Sequence, residues 1–311
     1  MKQVSSPWLW VFVWVACAWG PARAQDLHIG VTSTKTVKTV IALSPPRVVP
    51  SPPAPPTSAE LFGKSFLSTL TADLEFMDLF QFVPAASFAE KPGAGINAGE
   101  FEWTDWSSLG TDLLLKSQIS AKEKSFEIEA VLWNIKTQQP MLRKKYEAHE
   151  RDVKTAAHTV ANDVVKSITG LPGIFLSKIA MSCDRTGKKE IYTMNIDGSE
   201  VRQITHHRSL SFAPAWNPQS TRLAYSVVTK KKGIKNIDLY EFDFLSSSTR
   251  LLSNRKGINS GAVYTPDGTQ IAATLSFLGN PEIFLIRPTD GSATRLTKSF
   301  GFDVDPAFSP D

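Results

Sequence analysis

Trp216-Asn217-Pro218, Tyr264-Thr265-Pro266 and Phe308-Ser309-Pro310 are three copies of one short motif: an aromatic residue, a polar residue and proline. The prolines lie 48 and 44 residues apart (218 to 266, 266 to 310). A second landmark keeps the same step. An aromatic stands at the centre of a short alternating run at Tyr192, Tyr240 and Phe284, again 48 and 44 apart. Two landmarks with one spacing mean that a whole unit is repeated. Units in the forties, built from four short strands, mark the blades of a β-propeller.

After Gly173 helical periodicity vanishes and short alternating runs are separated by turn residues, as an all-β region requires. Runs 177–183, 190–196 and 201–205 read as three strands of a first blade. Runs 213–217, 221–228, 237–243 and 249–253 read as a full second blade. Runs 261–265, 269–276, 282–287 and 293–297 make a third, and 305–309 opens a fourth. Asp197-Gly198 and Asp290-Gly291 suit type I′ hairpins. A blade buries its faces only against its neighbours. On this reading the sequence is expected to be a fragment of a longer protein and to expose an unpaired blade face.

Working back towards the N-terminus, residues 1–24 have the form of a secretory leader. Lys2 precedes an uncharged apolar run over 8–19, and Ala22-Arg23-Ala24 has the small-x-small cleavage pattern. The mature chain is expected to start at Gln25. Removing Lys2 and Arg23 lowers the formal net charge from +4 to +2. That near balance argues against nucleic acid as the main partner. Cys183 is then the single cysteine, so no internal disulfide can form and stability must come from packing.

Residues 25–172 read as a separate α+β domain. Ser58 is a plausible N-cap for a helix whose apolar face is Leu61, Phe62, Phe66, Leu70, Leu74 and Met77. A second helix over 152–168 presents Val153, Ala157, Val160, Ala161, Val164 and Ile168, and Gly170 and Pro172 stop it. Runs 37–43, 80–84, 113–119, 126–135 and 141–149 read as strands. The stretch 44–56 holds seven prolines and is expected to be an extended surface insertion unable to supply a sheet ladder.

No catalytic constellation is apparent. Gly257-Ile258-Asn259-Ser260-Gly261 superficially resembles a nucleophile elbow, but the serine is one position late and no strand–turn–helix surrounds it. Of the five histidines only His206 and His207 are adjacent, which is poor metal-ligand spacing. His158 reads as a packed or capping histidine. Lys230-Lys231-Lys232 with Lys235 reads as a solvated hairpin loop. No metal, cofactor or catalytic residue is expected.

The chain resembles the TolB family of exported propeller proteins. The resemblance rests on Trp106-Ser107-Ser108-Leu109-Gly110-Thr111-Asp112 with the run 113–119. It rests also on Ala157-His158-Thr159-Val160-Ala161-Asn162-Asp163, on Leu171-Pro172-Gly173-Ile174-Phe175, and on Pro306-Ala307-Phe308-Ser309-Pro310-Asp311. It implies an α+β N-terminal domain followed by an all-β propeller, six-bladed in the family, with about three blades present here. It further implies a periplasmic adaptor of the Tol–Pal system, not an enzyme, that links TolA and the peptidoglycan-associated lipoprotein Pal in cell division and envelope integrity. The blade-to-blade loops would form the mouth that receives Pal, with Ser211, Phe212, Asn259, Ser260, Gly261, Asp303, Val304 and Asp305 facing it. The mature N-terminus, Gln25, Asp26, Leu27, His28 and Ile29, would meet TolA. No direct membrane insertion is expected once the leader is removed. A second reading takes the repeats as the propeller of an exported prolyl-oligopeptidase-like peptidase whose hydrolase domain lies beyond residue 311.

Overall fold

The computed structural model of the protein describes residues 38–49, 56–91, 93–122 and 125–309. The expected leader, the segment 25–36 and the prolines at 50, 52, 53 and 55 lie outside them. The N-terminal elements are β1 (Thr39–Leu43), β2 (Arg47–Val49), α1 (Pro56–Phe76), β3 (Phe80–Phe82), α2 (Trp103–Ser107), β4 (Leu113–Ala121), β5 (Phe126–Asn134), β6 (Gln139–Ala148) and α3 (Val153–Thr169). Their sheet has the order β3-β1-β4-β5-β6, with β2 also alongside β4. β1 is parallel to both its neighbours, and β4, β5 and β6 form an antiparallel meander.

Both faces of this sheet are covered. On one, α1 lays Phe62, Phe66, Leu70 and Leu74 against Leu115, Ile119 and Ile128, and α3 adds Ala157, Val160, Ala161 and Val164. The four α1 residues recur every fourth position and so form one stripe. Leu61, expected on that face, is exposed. On the other face, Leu114, Val131 and Trp133 pack with Phe101 and Trp106. Lys116 is buried there as well, in a 2.5 Å ion pair with Glu90. Burying that ammonium pushes its pKa below the ordinary lysine value, against the pull of Glu90.

The proline-rich stretch departs from expectation. Arg47–Val49 pairs in parallel with Gln118, Ile119 and Ser120 and does supply a ladder. None of its three residues is proline, so each keeps its N–H, and Pro46 and Pro50 on either side limit its length.

Gly173 explains the connection to the second half. A β-carbon there would stand 2.7 Å from the Asn162 Cα. The bare backbone lets the chain lie against α3, so that Asn162 Oδ1 accepts the Phe175 N–H at 3.0 Å. Phe175 then enters the N-terminal core.

Three antiparallel sheets follow. The first is β7 (Lys178–Cys183), β8 (Glu190–Asn195) and β9 (Arg202–Gln203). The second is β10 (Ser211–Trp216), β11 (Arg222–Lys231), β12 (Ile234–Asp243) and β13 (Ser248–Ser253). The third is β14 (Asn259–Tyr264), β15 (Ile271–Leu275), β16 (Glu282–Ile286) and β17 (Ala293–Arg295). Each is ordered as in the sequence. Ile191 and Ile204 of the first sheet meet Leu223, Tyr225 and Val227 of the second. Leu239 and Leu252 of the second meet Tyr264, Ile271 and Phe284 of the third. This is the α+β domain and strand-rich propeller region expected, and its sheets do not close into a ring.

Three local expectations are corrected. Residues 305–309 form no strand; in the complete sheets the innermost strand takes its ladder from the strand that follows it, and none follows here among the described residues. At Asp197-Gly198 and Asp290-Gly291 only the glycines have positive φ, 79° and 70°, so these are not type I′ turns. The aspartates instead accept the N–H two residues on, from Ser199 and Ser292, each at 2.9 Å. The type I′ turn lies at Lys232-Gly233, where φ is 49° and 84°, because residues 230–235 continue the strands instead of forming a loop.

Candidate functional site

Chain segments 204–210, 254–258 and 296–304 follow the outermost strand of each sheet, and the first two lead into the innermost strand of the next. The hairpins of the sheets hold these segments at one end. Val228 N–H donates to Leu210 O at 2.9 Å, Ile237 N–H to Gly257 O at 3.1 Å, and Asp303 N–H to Pro281 O at 3.0 Å. The result is a row of loops along the rim of the sheets.

Beneath the rim lies a repeated buried carboxylate that the sequence reading missed. Glu190, Asp238 and Glu282 are almost fully buried. They are spaced 48 and 44 apart, in step with the motif prolines (190 to 238, 238 to 282). That shared spacing is the signal that would have found them. Glu190 Oε2 accepts from Thr205 Oγ1 at 2.6 Å and from Ser211 Oγ at 3.1 Å, and Oε1 accepts the Arg208 N–H at 2.5 Å. Burial works to raise its pKa, but these donors outweigh it and hold the carboxyl below the ordinary range. Asp238 accepts from Asn236 Nδ2 at 2.6 Å and Thr229 Oγ1 at 2.9 Å. Glu282 takes the Arg295 guanidinium. Glu190 thereby ties its hairpin to the loop before β10, whereas these bonds of Asp238 lie within its own hairpin and the ion pair of Glu282 reaches β17.

A bulge also repeats on the innermost strands β10 and β14, and a matching positive φ recurs in the segment after β17. Ala213, Gly261 and Asp305, again 48 and 44 apart, all have positive φ: 50°, 60° and 52°. The pairing register slips between Phe212 and Ala215 and between Ser260 and Val263. A bulge twists the strand and re-aims its side chains.

The structure therefore divides the eight mouth residues. Ser211 and Asn259 point inward and are fully buried. Asn259 Nδ2 donates to Ile237 O and Arg255 O, both at 2.7 Å, and its Oδ1 accepts from Ser253 Oγ at 2.6 Å. Phe212, Ser260, Gly261 and Asp303 are half-buried, while Val304 and Asp305 are exposed. Gly261 lies under Asp305, where a β-carbon would come within 2.6 Å of its Oδ1. Asp305 N–H is held by Thr274 Oγ1 at 3.2 Å. Gln25, Asp26, Leu27, His28 and Ile29 lie outside the described residues.

Neither histidine candidate is brought to a metal site. His207 Nε2 lies 3.1 Å from the Tyr225 hydroxyl, and its ring packs on Tyr240. His158 Nδ1 is 2.7 Å from Asp73 Oδ2. Among the described residues no group of three or more His, Cys, Asp or Glu is placed to hold a metal ion.

Two family models match the chain on either side of this architecture. The TolB amino-terminal domain matches residues 27–141, and the TolB beta propeller domain matches 165–311. The chain belongs to the TolB family. Among its curated relatives, Tol-Pal system protein TolB of Desulfosudis oleivorans is 31% identical over 79% of this chain and 55% of its own length. Protein TolB homolog of Chlorobium luteolum is 30% identical over 76% of this chain and 53% of its own. The chain thus spans about half the length of the curated relatives it matches. The crystal structure of TolB from Acinetobacter baumannii superposes with a TM-score of 0.70 at 22% identity, covering 86% of this chain and 62% of that one. It shows the same fold. In this TolB-family chain, Phe212, Ser260, Asp303, Val304 and Asp305 are the expected mouth residues whose side chains are not fully buried.

Proposed function

We propose that this chain acts as a non-enzymatic periplasmic adaptor. Its mouth receives a Pal-like peptidoglycan-associated lipoprotein, and its mature N-terminus engages a TolA-like inner-membrane protein. Through these contacts it supports outer-membrane invagination in division and envelope integrity. The observation that carries the reading is the pairing, in one chain, of the TolB-type N-terminal domain with propeller sheets whose loops form one rim. Relatives with the same pairing are named Tol-Pal system proteins. Among the described residues no helix is long and apolar enough to cross a membrane. The polar groups under the rim are engaged in internal hydrogen bonds, which suits a rigid docking surface better than a reaction centre.

Within the mouth, Phe212 and Val304 supply apolar contact, and Ser260, Asp303 and Asp305 supply hydrogen bonds. Ser211, Asn259 and Gly261 act from beneath, by fixing the strands that carry the others. The test is recovery of the lipoprotein from envelope extract on the tagged gene product. Recovery lost on Asp303→Lys with Val304→Asp supports the mouth; unchanged recovery removes it, and no recovery by the unaltered protein removes the adaptor reading.

A further inference from the structure

The second sheet carries a hairpin that its neighbours lack. β11 and β12 make ten cross-strand pairs, ending at Lys230↔Lys235 and Lys231↔Ile234. The corresponding hairpin of the third sheet makes five and stops at Leu275↔Glu282. That of the first stops at Cys183↔Glu190. Both stop at the repeated buried acid, whereas the second sheet runs four pairs past Asp238. At about 3.4 Å per residue the hairpin extends roughly 14 Å past the level of the buried acid. Its tip is a defined type I′ turn at Lys232-Gly233, whose twist matches the strands it joins.

The hairpin holds an unfavourable pair. Lys230 and Lys235 stand directly opposite each other, and like charges so placed destabilise a ladder. Lys230, Lys232 and Lys235 are exposed, and none has an acidic partner among the described residues. Ile234, between them, is about two-thirds exposed. A local rule broken without internal compensation is the mark of a surface kept for something outside the chain. At the hairpin's base a groove runs between two rim loops. Leu210, Val228, Ile237 and Ile258 give it an apolar floor, and Lys235 stands at its edge.

We propose that the β11–β12 hairpin and this groove bind an acidic, extended segment of a protein partner. The segment's apolar side chains lie on the groove floor, and its carboxylates face Lys230, Lys232 and Lys235. Alternation of the two kinds along an extended chain matches a floor below and a charged wall beside it. A flat anionic membrane reaches the hairpin tip but not the recessed floor, so the groove favours a peptide over a lipid surface. The assignment goes beyond the adaptor reading and does not require that the segment belong to the lipoprotein.

The test places a photo-crosslinking benzoylphenylalanine at Ile234 in the full-length gene product in its own cells. A matched probe at Leu245, in the β12–β13 turn at the other end of β12, serves as control. Peptides joined at Ile234 are sequenced. The expected product is an acidic protein segment, absent at Leu245, whose yield falls about tenfold in K230E/K232E/K235E and by less in K230Q/K232Q/K235Q. Thermal melts of both triple variants establish that the fold is kept. Cross-links to lipid, yields indifferent to charge reversal, or no product above the Leu245 control would each overturn the proposal. The identity of the joined protein bears separately on the adaptor reading. An acidic segment from the lipoprotein supports both readings, and one from another protein upholds the hairpin alone.

Discussion

Ser211 Oγ donates to Glu190 Oε2 at 3.1 Å across the seam between the first and second propeller sheets, and both residues are buried. Glu190 also takes the Thr205 hydroxyl and the Arg208 N–H. Glu190→Ala leaves those donors buried and unanswered, a loss of about 3 kcal/mol. Ser211→Ala removes one donor of several and costs about 1 kcal/mol. Urea unfolding of the two variants checks the order; equal losses would show that the seam does not depend on the carboxylate.

The repeated bulge gives a matched pair of substitutions. Gly261→Ala adds a β-carbon at φ 60° and drives it towards Asp305. Left-handed strain alone costs about 1 kcal/mol or more. Ala213→Gly relieves the same strain at φ 50°, where Ala213 is exposed, and the gain is offset by the freer unfolded chain. The expected outcome is a clear fall in Tm for the first and a change near zero for the second.

His207 makes stability depend on pH. Burial pushes its imidazole below the ordinary value of 6.5, against the attraction of Glu190. The folded state therefore takes up this proton less readily than the unfolded chain. Its contribution is fully present above the ordinary value and is lost as pH falls from there towards the folded pKa. His207→Gln is expected to flatten the Tm profile over that range. Glu190 acts in a lower window, because its folded pKa is depressed below 4.5: its contribution is fully present above the ordinary value and is lost as pH falls from there through the folded value.

The joint between α3 and the first sheet separates a buried contact from a peripheral one. Asp73 is almost fully buried against His158, while Asp197, from the turn after β8, stands 3.7 Å from His158 Nε2 and 3.4 Å from Lys154 Nζ. Burial pushes the Asp73 carboxyl up, and the His158 hydrogen bond pulls it back. Asp73→Ala removes one partner of a buried pair and should cost about 3 kcal/mol. Asp197→Ala, at a part-exposed site, should cost about 1 kcal/mol or less. Chemical denaturation measures both, and a reversed ranking would show that the joint is held from the propeller side.

Much of the fold was legible because its signals are local. The spacing of 48 and 44 located Tyr192, Tyr240 and Phe284 on β8, β12 and β16, and the fourfold recurrence of Phe62, Phe66, Leu70 and Leu74 located the buried stripe of α1. Proline content misled at Arg47–Val49, because the pattern of prolines shows where N–H groups are missing but not which strand the remaining ones reach. Charge misled at 230–235, where four lysines in six residues read as a loop. The ladder continues there because Lys232-Gly233 can adopt a type I′ turn, and that fixes the register of everything before it.

Order along the chain settled the two-part architecture and the strand-by-strand repeat, since alternation, turn residues and period act over a few neighbours. Which of Ser211, Phe212, Asn259 and Ser260 reaches solvent was decided only by the folded molecule. A positive φ at Ala213 and Gly261 breaks the twofold alternation, and a carboxylate more than twenty residues away claims the Ser211 hydroxyl. Neither influence is carried by the residues beside them.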